Sequence, residues 1–207
     1  MLRTSVSAAL LLGLVCSTPA WADSCAVVPT FRYYAVTGTS EEELKRSLLE
    51  KGPRDDTGTA RFAYTDWKVT WKWKRLDDGS VDPESVELAC VADILLPELD
   101  ASATFSPELR RAWDGFIERT RRHELNHVSH VEQRAPEIYK RLRAAAEQSG
   151  SVSGKRAAAI VSEVVADIKA MDRHYDAETD HGRTEGAWQI QPTFAGAASV
   201  KSGILPY

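Results

Sequence analysis

The chain has 207 residues, 43% of them hydrophobic, and a formal net charge of −4, which suits one globular domain with a real core. It carries no block of basic residues, which excludes nucleic acid as an expected partner. No apolar run is long enough to span a bilayer.

Met1-Leu2-Arg3 gives a short positive start, Ala8 to Val15 are largely apolar, and Ala20-Trp21-Ala22 offers small residues where a signal peptidase reads. Residues 1–22 are therefore expected to be a signal peptide, cleaved after Ala22 to leave an exported product, periplasmic or secreted. That cleavage removes Arg3 and no acid, so the charge becomes −5. Of the 3 cysteines only Cys25 and Cys90 survive it. In an oxidising compartment such a pair is expected to form a disulfide.

Phe31 to Val36 reads as a strand. Ser40 and Glu43 form a capping box that opens a helix through Leu44, Leu48 and Leu49, stopped at Gly52-Pro53. Trp67, Val69, Trp71 and Trp73 alternate with polar residues, the pattern of a half-buried strand. After the turn Asp77-Asp78-Gly79-Ser80 the chain returns over Val86 to Leu96, with Pro97 expected to end the strand. The pair predicts an antiparallel hairpin whose tryptophans form a core face.

Ser106-Pro107-Glu108 marks a helix start. Its apolar face runs through Leu109, Trp113, Phe116 and Thr120, and at 100° per residue it continues onto His123 and His127. Pro136 is expected to interrupt that helix. A loop at Ser149 to Gly154 leads into a second helix, about Lys155 to Glu178, with Ile160, Val164, Val165, Ile168 and Met171 facing inward and Gly182 as its stop. Residues 23–187 are read as one domain and 188–207 as a C-terminal tail. The expected class is α+β, a small, mostly antiparallel sheet packed on a long helical hairpin.

His123-Glu124-Leu125-Asn126-His127 is the chemical centre of the sequence. Two imidazoles four residues apart on a helix can close on one Zn²⁺, with the carboxylate between them as general base toward a water. A catalytic zinc takes a third protein ligand. Only 5 histidines are present, and His130 lies one turn too far along the same helix to share the ion. If the two long helices pair as a hairpin turning near residue 150, residue i faces about residue 301 − i. The segment from His174 to His181 then arrives opposite the motif, with His181, Asp176, His174 and Glu178 as candidates.

The chain resembles a bacterial family, domain of unknown function 922, described as predicted secreted zinc-dependent proteases. The resemblance rests on Tyr33-Tyr34-Ala35-Val36-Thr37-Gly38, Gly52-Pro53, and Thr65-Asp66-Trp67-Lys68-Val69-Thr70-Trp71. It continues through Cys90, Leu96-Pro97, the His123–His127 motif, Tyr175-Asp176-Ala177-Glu178-Thr179-Asp180-His181-Gly182 and Gly186-Ala187. It implies His123, His127 and His181 as metal ligands and Glu124 as general base. Asp176 would be the true third ligand or an orienting partner, and Tyr175 a donor to an oxyanion. The implied activity is a zinc metallopeptidase acting on a peptide, a protein or a peptidoglycan stem peptide. The alternative is an envelope protein that kept the zinc cage and does not hydrolyse.

Overall fold

The computed structural model describes residues 24–102 and 104–190. The expected signal peptide, and the expected tail beyond Ile190, lie outside the described residues. The chain runs β1 (Thr30–Val36), α1 (Glu41–Lys51), β2 (Tyr64–Lys72), β3 (Glu87–Leu99), α2 (Pro107–Arg134), α3 (Glu137–Ser149) and α4 (Gly154–Thr179). The class is α+β.

The three strands are ordered β1-β3-β2. β2 pairs antiparallel with β3, Tyr64 opposite Leu95 and Lys72 opposite Glu87, as the expected hairpin requires. β1 pairs parallel with β3, Thr30 opposite Asp93. The sheet is therefore mixed and not mostly antiparallel. The reason is connectivity: α1 carries the chain across before β2, so β1 meets β3 running the same way.

Pro97 does not end β3, which continues to Leu99. The pairing with β2 stops at Leu95, so at Pro97 one side of the strand has no neighbour to want an N–H. The disulfide joins Cys25 to Cys90 across a sequence separation of 65 residues. It pins the start of the described chain to the middle strand, and a loop of that length is worth about 4 kcal/mol in the chain-entropy model.

Three of the four helices start on a serine side chain, and α3 follows Pro136 without one. Ser40 accepts from the Glu43 amide, Ser106 from Leu109 and Ser153 from Arg156. Pro136 separates α2 from α3, and α4 returns against α2. α2 is 28 residues long, about 42 Å at helical rise, and spans two cores. One packs Cys90, Ala92, Ile94 and Leu96 of β3 against Val128, Val131 and Leu142 and against Ile160, Val164 and Ile168. The other joins Val36, Leu44 and Leu48 to Phe62, Trp113, Phe116 and Ile190. The domain's core thus reaches past Ala187 to Ile190. Between Phe116 of one core and Val128 of the other, the buried face of α2 turns polar: Thr120, His123, Glu124, His127.

Candidate metal centre

His123, Glu124 and His127 are 5%, 6% and 8% exposed, so this polar stretch is paid for only if every group finds a partner. The partners come from α4 and the turn after it. Asp176 Oδ1 lies 3.3 Å from Nε2 of His123 and 3.3 Å from Nε2 of His127. One ligand atom from each of these three residues falls within 4.8 Å of the others.

The opposite nitrogens are also held. His123 Nδ1 lies 2.8 Å from Glu185 Oε2, and His127 Nδ1 lies 3.0 Å from Asp172 Oδ1. A carboxylate only accepts, so both Nδ1 atoms carry the proton. By the same rule each Nε2–H donates to Asp176 in the metal-free protein, and loss of those two protons leaves two Nε2 lone pairs converging beside Asp176. Asp172 is itself fixed, since it accepts from His130 Nδ1 at 2.7 Å and from the Trp67 indole at 2.7 Å.

Charge follows this geometry. Burial disfavours the charged form of His127, but hydrogen bonds to Asp172 and Asp176 and the Glu124 charge outweigh it, and its pKa is pushed up to about 10. His123 moves up in the same way, with burial opposed by Asp176 and Glu185. Burial also acts against the Asp176 carboxylate, yet the two imidazoles hold it well below the usual carboxylate range. Glu124 moves the other way. Burial raises its pKa against the Thr65 hydroxyl, which donates to Oε2 at 2.7 Å, and against the neighbouring imidazoles.

The cluster opens on a cleft of about 430 Å³ between β2 and α4, lined by His123, Glu124, His127, Asp176 and His181 among others. His181 is at its rim, with Nδ1 3.5 Å from Asp176 Oδ2 and its side chain 39% exposed. Its Nε2 lies 3.0 Å from Arg61 Nη2. A guanidinium only donates, so Nε2 accepts and the His181 proton sits on Nδ1, toward Asp176. Arg61 is in turn held on Asp55 Oδ2 at 2.6 Å.

Tyr175 stacks on His123, 4.9 Å between centroids at 22°. Its hydroxyl accepts from Asn126 at 2.6 Å and donates to Glu185 at 2.9 Å. It is not among the residues lining the cleft. His174 and Glu178, both candidates from the hairpin register, pair with each other at the surface, 74% and 64% exposed. The register itself holds, since residues 172–176 do lie opposite His123 and His127. The side of α4 was what it left open.

Asp172, Glu185 and Arg61 were not singled out from sequence. Asp172 had a signal, because it precedes Asp176 by four residues on one helical face. Glu185 depends on the turn that closes α4, where Asp180, His181 and Gly182 take φ of 49°, 51° and 80°. The helix stops at Asp180, not at Gly182. Three left-handed residues in succession fold the chain back until Gly182 packs on His123, where a Cβ would meet Cγ of that ring at 3.0 Å.

Two imidazole nitrogens and a carboxylate oxygen, converging from rings locked in one tautomer, fit a first-row divalent ion such as zinc. No curated protein and no solved structure matches the chain. The profile of a family described as bacterial proteins of unknown function (DUF922) matches residues 31–182. That stretch runs from β1 to the left-handed turn and includes Thr65, the His123–His127 motif and Asp176, so the chain belongs to this family.

Proposed function

We propose that the protein is an exported zinc-dependent peptidase in which His123, His127 and Asp176 hold the ion and Glu124 is the general base. One observation carries this reading: both imidazoles turn Nε2 toward Asp176 Oδ1 while carboxylates hold both Nδ1 atoms. A zinc ion supplies Lewis acidity, which acidifies water and polarises a carbonyl. Glu124 takes the proton of the attacking water and later delivers it to the leaving amide nitrogen. Its raised pKa suits a group that must both accept and return a proton.

Thr65 fixes the Glu124 carboxylate from β2. Arg61, oriented at the rim by the His181 Nε2 that accepts from it, supplies donors and positive potential for the oxyanion. That role falls to Arg61 because the Tyr175 hydroxyl is spent on Glu185. The disulfide supports the exported location, and no helix among the described residues is long and apolar enough to cross a membrane.

A module that holds zinc without hydrolysis is the second reading, favoured by the burial of Glu124, which is only 6% exposed. Zinc per chain, measured after purification without chelator, is expected near one. Glu124→Gln is expected to keep that zinc and lose about 10²- to 10⁴-fold in peptide turnover. Zinc without turnover in the parent protein would leave the second reading standing.

A further inference from the structure

A second hollow, about 340 Å³, lies next to the cleft and shares Trp67 and Lys169 with it. The cleft is bounded by β2 from Tyr64 to Trp67 and by α4 from Asp176 back to Lys169. The second hollow continues along β2 from Trp67 to Trp71 and along α4 from Lys169 back to Val161. The two walls agree in length: about 23 Å of strand against about 22 Å of helix. Together they bound one trench, long enough for about seven residues of extended chain.

The strand presents its edge to this trench. Tyr64, Thr65, Asp66 and Trp67 all line the cleft, and Trp67, Lys68 and Val69 all line the hollow. A strand seen face-on would contribute every second residue. β2 is also an outer strand of the sheet, so its backbone groups on that side are open to a partner strand.

The far end of the trench differs chemically from the catalytic end. Its lining is largely apolar, with Val69, Trp71, Val161, Val165 and Ala166 beside Trp67. Trp71 remains 39% exposed. The charged residues there are Lys68 and Lys169, with no carboxylate, and neither lysine has an ion-pair partner among the described residues. Val69 lies four strand positions from Thr65, the residue on Glu124, or about 13 Å.

On the reading of the site given above, we infer that the substrate is an extended polypeptide cut internally. It is anchored by an apolar side chain in the β2–α4 hollow, about four residues from the scissile bond, and an acidic neighbour of that side chain faces Lys169. The anchor supplies recognition at a distance from the chemistry, while the β2 edge holds the backbone between them.

The test uses fluorescein-labelled twelve-residue peptides of alanine and serine carrying one Leu-Glu pair, compared with Ser-Glu, Leu-Lys and Ser-Lys versions. Binding is read by anisotropy on zinc-loaded Glu124→Gln protein. The Leu-Glu peptide is expected to bind about tenfold or more tighter than Ser-Lys, as burial of one leucine side chain allows. Ala166→Trp, a filling substitution on the exposed face of α4, is expected to erase the leucine preference. Lys169→Glu is expected to invert the Glu-over-Lys preference. Equal affinities for all four peptides, or a ranking untouched by both substitutions, would overturn the anchor. Turnover by the parent protein separates the two claims: cleavage without ranking removes the anchor alone, and ranking without cleavage keeps the anchor as a peptide-binding site and removes the peptidase reading together with the internal cut.

Discussion

The Thr65 hydroxyl donates to Glu124 Oε2 across 2.7 Å, joining β2 to the middle of the His123–His127 motif. This bond restrains the rise that burial imposes on the Glu124 pKa. Removing it in Thr65→Val raises that pKa further. The acidic limb of kcat/KM against pH is then expected to move to higher pH, with zinc content unchanged. A limb that stays in place would show that Glu124 does not set it.

The third ligand is decided by metal content. Asp176 touches both imidazoles, whereas His181 reaches only the far oxygen of Asp176 and is held by Arg61. Asp176→Ala is therefore expected to bring zinc well below one per chain, and His181→Ala to retain it while losing turnover. The reverse pattern, by elemental analysis of the two variants, would move the ligand role to His181.

Asp172 and Glu185 hold the imidazoles by their Nδ1 protons. Asp172→Asn and Glu185→Gln are each expected to weaken zinc binding about 10- to 100-fold, measured by competition with a chromophoric chelator. Glu185→Gln also takes an acceptor from Tyr175. An unchanged zinc affinity in both would mean that the rings are oriented by packing alone.

Without metal, the cluster is a protonated ion-pair network, and this sets its pH dependence. The His127 pKa is about 10 in the folded chain against roughly 6.5 unfolded. Its contribution to stability is full below about 6.5 and is lost as pH rises toward 10. Asp176 is depressed, so its contribution is present above roughly 3.9 and lost as pH falls below that. Zinc must displace the imidazole protons. The rise in Tm on adding zinc is therefore expected to grow from pH 6 to pH 8. Calorimetry at pH 7 in buffers of different ionisation enthalpy is expected to show release of about one to two protons.

Much of the fold was legible because local chemistry and burial agree. Ser40 and Ser106 cap the helices they precede, and the Trp67–Val69 alternation marks a real strand. Pro97 misled, because whether a proline ends a strand depends on the length of its neighbour. The parallel pairing of β1 was hidden for a similar reason, since strand order is a long-range property. In the site, helical spacing brought His123, Glu124 and His127 together, and the hairpin register brought α4 opposite them. The facing side of α4 depends on helix rotation, and only two positions separate Asp172 from His174 and Asp176 from Glu178. Glu185 was out of reach, because its place is set by successive left-handed residues, two of them not glycine.

The left-handed turn also fixes when the centre comes into being. His123 waits on Glu185, 62 residues further along the chain, and His127 on Asp172, 45 residues away. During synthesis, a polypeptide that ends short of the turn already carries His123, His127, Asp176 and the Asp172 that holds His127, but not the Glu185 that holds His123. The cluster is thus complete only when almost the whole domain has emerged.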